Sequence, residues 1–341
     1  MEQKGEGQSS VIQKWTRARR KKVMKETQHS LRTSGYVASE GIAVKFDETL
    51  MRAHMAKSIV YSSDDCKNGC QETENCGTKM LIEVIEGDSI DVGLKLYDEL
   101  NSDGGSQGKE QVIMPLVLIM ANGQNPGGGY LEGDAAQEES IFRRTAIARW
   151  MGPENPRVYA KYPIPEFGGV YLPSVPIFRE NEREHGYAFM KEVRTLSFVA
   201  AAAYPRPPLV KRRTSSNEEQ QGKGERKRKR SQTETETEKK EEEDNYTLPD
   251  EVAVKVKRKI QAIFNIAQKH GHRVLVLGPF GCGAFRNPAK AIAELFKEVL
   301  AEARYSFYFT RIVFAILEDS KSLGKRNPVG NLAAFRSVFA N

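Results

Sequence analysis

Short apolar runs alternate with amphipathic stretches along most of this chain, and no other feature restricts its fold as far. Residues 112–120 are almost continuously apolar, as in a strand covered on both faces, and 273–277 repeat the pattern. Residues 82–85, 170–178, 193–203 and 312–316 are further strand candidates. Ile90, Val92, Leu94, Leu96, Tyr97 and Leu100 suggest a helix after the first of these, and 253–269 and 289–300 read as two more. Strands alternating with helices predict an α/β sheet with helices on its faces. Ligands of such folds bind beyond the carboxyl ends of strands. Two glycine loops stand at such ends, 125–129 after one strand and 278–283 after another, so they are expected to share one cleft.

With 341 residues, 39% of them hydrophobic, the chain can bury one sizeable core. Residues 1–10 are polar and expected to be disordered, and 11–33 carry helix formers and many cations, so a basic helix is expected to cap the domain. A single domain is therefore read over 11–341, interrupted at 205–246 by a charged stretch expected to be disordered. That stretch holds Lys211-Arg212-Arg213 and Arg226-Lys227-Arg228-Lys229-Arg230, spaced like a bipartite nuclear import signal; a solvated charge run explains them equally well. The formal charge of +7 suits a polyanionic partner, but the Thr-Glu repeats of 233–238 make the stretch mixed in charge. Direct nucleic-acid binding beyond nonspecific attraction is not expected. No apolar run reaches the roughly 18 residues of a membrane span, and no secretory signal opens the chain, so a soluble nuclear or cytoplasmic monomer is expected.

The four cysteines are too few and unevenly placed for a disulfide scaffold, which points to a reducing compartment. Cys66, Cys70 and Cys76 match no common zinc spacing and lack a fourth ligand, so they are expected to be incidental surface thiols. His270 and His272 have no evident ligand partner and read as structural. No metal or cofactor is implied.

The most chemically loaded segment is Asn125-Pro126-Gly127-Gly128-Gly129, followed by Gln137-Glu138-Glu139 at the entrance to a part-buried helix. Glycines admit positive φ angles and let a backbone approach a ligand closely. Paired carboxylates beside such a loop suit cleavage of a glycosidic bond, which needs an acid for the leaving oxygen and a base for water. Acids in a first helical turn also simply complement the helix dipole; the glycine loop is what favours catalysis here. Asp88, after the strand at 82–85, is explained equally by helix capping and by a ligand contact.

Gly-Gly-Gly, seven residues and then Gln-Glu-Glu resembles the signature of the poly(ADP-ribose) glycohydrolases, in their compact microbial type. The resemblance continues through Tyr171-Leu172-Pro173-Ser174-Val175-Pro176, through His272-Arg273-Val274-Leu275-Val276-Leu277-Gly278, and through Gly281-Cys282-Gly283-Ala284-Phe285-Arg286-Asn287. It implies a macrodomain-like fold, a mixed, mainly parallel sheet sandwiched between helices, and hydrolysis of ribose-to-ribose bonds in poly(ADP-ribose). Carried over, Glu139 takes the catalytic place, with Glu138 and Gln137 holding the sugars. Asn125, Gly127, Gly128 and Gly129 line the distal ribose, and Gly281, Cys282, Gly283 and Ala284 match the loop around the diphosphate. Phe285 matches an aromatic on the distal ribose, and Asp88 the residue that meets adenine. The implied partners are poly(ADP-ribose) and ADP-ribosylated proteins, with ADP-ribose as product. The chain has no room for the large helical accessory domain of animal-type enzymes, so removal of terminal units is expected. Hydrolysis of mono-ADP-ribose, or a reader of ADP-ribose without catalysis, are the rival readings; an intact Gln-Glu-Glu speaks against the reader.

Overall fold

A computed structural model describes residues 15–66, 79–102, 112–212, 246–318 and 327–340. In chain order its elements are α1 (Arg17–Arg32), β1 (Gly35–Val37), β2 (Ala43–Lys45), α2 (Glu48–Met55), β3 (Ile59–Tyr61), β4 (Leu81–Glu86), α3 (Ser89–Asn101) and β5 (Leu116–Met120). There follow α4 (Gln137–Arg144), α5 (Ile147–Met151), α6 (Pro156–Tyr159), β6 (Gly169–Arg179), α7 (Glu182–His185), β7 (Phe189–Ala201), β8 (Val210–Lys211) and β9 (Tyr246–Thr247). The chain closes with α8 (Asp250–Lys269), β10 (Val274–Leu277), α9 (Ala289–Leu300), α10 (Ala303–Ser306), β11 (Arg311–Ile316) and α11 (Gly330–Phe339).

Seven strands form one sheet in the order β3-β6-β7-β5-β10-β11-β4. From β7 to β4 every pairing is parallel, whereas β6 is antiparallel to both its neighbours. The mixed, mainly parallel sheet is thus as expected. Its two faces follow from the period of two along each strand. Leu116 and Leu118 of β5 join a core with α8, α9 and α11, while Val117 and Ile119 join the opposite core with α3, α4 and α5. Both faces are covered, which is why β5 and β10 read as unbroken apolar runs.

Several boundaries differ from the expected ones for local reasons. The strand foreseen from 112 begins at Leu116, because Pro115 lacks an N–H and the Asn101 side chain takes the backbone of Ile113. The basic helix begins at Arg17, where Thr16 Oγ1 accepts from Arg19 N at 3.3 Å. Residues 1–14 lie outside the described part. The charged insertion is narrower than foreseen. Val210 and Lys211 pair antiparallel with Thr247 and Tyr246, and Arg212 meets Glu294 at 2.6 Å. Leu209 and Leu248 pack into the main core and fix this ribbon, so 205–212 and 246 are ordered; 213–245, with the second basic cluster, lies outside the described residues.

Cys66 is not a surface thiol. It is buried in the core behind α8, burial pushes its thiol up to about 11, and Asn265 Nδ2 donates to its carbonyl at 2.6 Å. Cys70 and Cys76 lie outside the described residues. Among those that are described, no cluster of His, Cys, Asp and Glu is placed to hold a metal, and no helix is long and apolar enough to cross a membrane.

The two histidines beside β10 do structural work. Tyr171 stacks on the His270 ring at 3.5 Å between centroids, and Tyr61 Oη lies 2.8 Å from His270 Nε2. His272 Nδ1 donates to Met114 O at 2.9 Å, which leaves its Nε2 to accept from Tyr171 Oη at 2.9 Å. Burial, His272 and Lys269 together push His270 down from 6.5 to about 4. The unfolded chain therefore takes up a proton here that the folded chain refuses. Stability from this site is full above pH 6.5 and falls as pH drops towards 4. A pH series of thermal midpoints is expected to show that fall, and His270→Gln, which retains a partner for Tyr61, is expected to flatten it.

Candidate active site

The first loop is built on the carboxyl end of β5. Asn122 Oδ1 accepts from Gln124 N at 2.9 Å and Asn125 N at 3.1 Å, an Asx turn that redirects the chain. Gly127 and Gly128 follow with φ of +77° and +51°, and Gly129 with −93°. A Cβ on Gly127 would lie 2.6 Å from Phe142, and one on Gly128 would lie 2.7 Å from Glu139 Oε1. The loop is thus pressed directly onto α4, and only glycine fits at these two places.

Its backbone amides grip the acids. Glu138 Oε2 accepts from Asn122 N at 2.7 Å and Oε1 from Gly127 N at 2.9 Å. Glu139 Oε1 accepts from Gly129 N at 3.1 Å, while its buried Oε2 has no partner among the described residues. Burial pushes the Glu138 carboxyl up to about 8; the charge of Glu139 adds to this, and the two backbone donors oppose it. Beyond these two bonds the Glu138 carboxyl keeps hydrogen-bonding capacity for a further polar group. Gln137 is different. Both donors of its amide are taken, by Leu118 O at 2.8 Å and Ser89 Oγ at 3.1 Å, and its oxygen accepts from Met120 N at 2.9 Å. It pins α4 to β5, and this bonding leaves it no donor for a sugar.

The second loop follows β10. Gly281 has φ of +75°, and a Cβ there would sit 2.5 Å from Ala203 Cβ. Cys282 contributes shape: its thiol is buried and pushed up by burial, and its N–H donates to Pro279 O at 2.9 Å. The N–H groups of Gly283, Ala284 and Phe285 find no acceptor among the described residues. Three successive free N–H groups ahead of α9 make a nest for an anion. Phe285 is half-buried beside them and Asn125 is exposed in the first loop.

The two loops meet through the end of β7. Gly123 faces Ala202, with a Cβ there at 3.0 Å from the Ala202 methyl, and Gly281 faces Ala203; Gly278 lies against Met120 of β5. The two glycine loops therefore lie side by side over adjacent strands β7, β5 and β10, the placement that a shared cleft requires.

Long-range contacts that the sequence did not disclose hold this arrangement. Buried Arg144 pairs with Asp88 at 2.6 Å and with Asp91, and its Nε donates to Arg179 O at 3.1 Å. Asp88 Oδ1 also caps α3 through Ile90 N at 2.8 Å. Asp88 thus ties α3 to the helix that carries the acids. Arg143 Nη2 donates to Asp134 O at 2.7 Å, and α1 reaches the same turn through Arg17 and Asp134 at 2.7 Å. Tyr162 was also missed. Its hydroxyl is buried without a partner among the described residues, and burial and the Glu138 charge raise its pKa. Ile164 N, two residues on, donates to Gly123 O at 2.9 Å.

Comparison with known proteins fits this geometry. Residues 24–180 match the family model for the microbial-type PARG, catalytic domain. The poly(ADP-ribose) glycohydrolase of Thermomonospora curvata, solved with the inhibitor ADP-HPD, is 23% identical; the likeness covers 94% of this chain and 99% of that one, with a TM-score of 0.64. That of Deinococcus radiodurans, solved with ADP-ribose, is 19% identical over 86% of this chain and 98% of that one, with a TM-score of 0.57. No curated protein matches the chain. The sequence match spans the first loop and both acids, whereas the second loop lies beyond it and shares with these structures its fold.

Proposed function

We infer that this chain is a poly(ADP-ribose) glycohydrolase of the compact microbial type, and that Glu139 is its acid and base. The observation that carries the assignment of Glu139 is its carboxyl: one oxygen is fixed by the glycine loop, and the other is buried and unclaimed beside the cleft. A glycosidase needs such an atom to protonate the departing oxygen and then to take a proton from the attacking water. Glu139 Oε2 gives its proton to the 2′-oxygen of the leaving ribose, and then receives one from the water that attacks the anomeric carbon. The free N–H groups of Gly283, Ala284 and Phe285 hold the diphosphate of the bound unit, whose negative charge stabilises the cationic centre. Glu138 keeps the first loop in shape and accepts a sugar hydroxyl. Phe285 and Asn125 contact the distal ribose.

Asp88 has a capping oxygen committed to α3 and Arg144, so any adenine contact falls to its remaining acceptor capacity. Terminal units are the expected substrate. ADP-ribosylated proteins are the partners. The nuclear reading of the basic clusters is weakened at its first cluster, where Arg212 is already paired with Glu294; the location of a tagged protein with and without residues 211–230 tests it.

Purified protein incubated with poly(ADP-ribose) is expected to release ADP-ribose, followed by chromatography of the products. A mono-ADP-ribosylated protein in a parallel reaction distinguishes the rival hydrolase. Tight ADP-ribose binding with release from neither substrate would make the chain a reader and overturn the assignment.

A further inference from the structure

Two arginines outside the catalytic machinery occupy backbone conformations that ordinary side chains avoid. Arg206 has φ of +49° and Arg286 of +55°, in the left-handed region favoured by glycine. Arg206 also precedes Pro207, and the residue before a proline is biased towards extended conformations. It is held in place because its N–H donates to Phe285 O at 2.7 Å, while Arg286 N closes the neighbouring turn onto Gly283 O at 3.0 Å. Asn287 Nδ2, donating to Tyr204 O at 2.8 Å, fixes the two turns together. Both arginines are exposed, and Arg206 makes no ion pair or side-chain hydrogen bond among the described residues. Nothing among the described residues calls for an arginine at position 206, since glycine would adopt the same backbone without strain.

We propose that Arg206 and Arg286, on either side of Phe285, grip the phosphates of the poly(ADP-ribose) strand that lies outside the cleft. The proposal rests on the glycohydrolase reading and extends it from the bound unit to the next. The N–H nest accounts for one diphosphate, and each further unit of the polymer brings another. A guanidinium matches phosphate oxygens in a two-pronged geometry, and two of them on bonded, rigid turns meet a polyanion with little ordering cost. Arg206 stands where β7 leaves the sheet and Arg286 where the second loop turns into α9, so the rim spans two of the strand ends that form the cleft.

Arg206→Gly, Arg286→Gly and the double variant test this, because glycine keeps the left-handed backbone while the cation is removed. The readouts are direct binding of intact polymer, binding of ADP-ribose, KM and kcat for release, and thermal midpoint. Polymer Kd and KM are expected to rise about threefold to fivefold for each single change and about tenfold for the double, the range of exposed ion pairs. For Arg206→Gly, ADP-ribose affinity, kcat and the midpoint are expected to stay near wild type, and polymer binding by the double variant is expected to depend less steeply on salt. Arg206→Lys should recover part of the loss. Unchanged polymer binding in the double variant would overturn the proposal, as would an equal loss for ADP-ribose, which would place the arginines in the cleft itself. A wild-type protein that releases no ADP-ribose would strike at the hydrolase reading instead, and binding of intact polymer would still decide the role of the rim.

Discussion

Glu139→Gln is expected to lower ADP-ribose release from polymer by about 1,000-fold or more, with ADP-ribose binding nearly unchanged. The amide is isosteric, and its oxygen can still accept from Gly129 N as Glu139 Oε1 does at 3.1 Å. What vanishes is a second carboxyl oxygen able to carry a proton, the atom proposed to serve the leaving group and then the water. Release measured on purified polymer, beside ADP-ribose binding by calorimetry, separates the two effects. Turnover close to wild type would remove Glu139 from the chemistry. Loss of binding together with turnover would mean that the substitution had disturbed the loop.

Gly128→Ala is expected to damage the candidate site through a single methyl group. At φ of +51° alanine is strained, by about 1–2 kcal/mol for an L-residue in this region. The added Cβ would also stand 2.7 Å from Glu139 Oε1 and 3.3 Å from Glu138 Oε2. Either the loop lifts or the Glu139 carboxyl swings away from Gly129 N. A displacement on the order of 1 Å at a reacting group costs about 100-fold in rate, so kcat should fall by about that factor while the folded protein persists. Thermal melting and kcat, measured together, check this; a variant with wild-type kcat would show that the loop does not set the acid.

The features that reached the reader from sequence are those in which neighbouring residues act together. The glycines of the first loop and the two acids lie within one short stretch, so their juxtaposition can be read from residue type and order. The buried strands β5 and β10 announce themselves because both faces are apolar. Arg143 and Arg144 carry no sign of their roles in the sequence. Their burial depends on Asp134, Asp88, Asp91 and Arg179, which sequence distance conceals. The Gln137 amide likewise looked free for a sugar because its three partners lie on β5 and at the start of α3. Cys66 was misplaced for the same reason, since Asn265 of α8, distant in sequence, takes its carbonyl and the core closes over its thiol. Tyr162 carried no local signal at all; an unpartnered hydroxyl beside a carboxyl exists only once the chain has folded.

The alanines at the end of β7 have a consequence for how this protein can change over time. Ala202 touches the first loop at Gly123 and Ala203 the second at Gly281, so one methyl group on each side sets the spacing between the two glycine loops. A larger residue at either place would press on the loop that its methyl group now touches. It would have to arrive with a compensating shift of a whole loop, so these two small, chemically silent positions are expected to drift less freely than many charged ones around them.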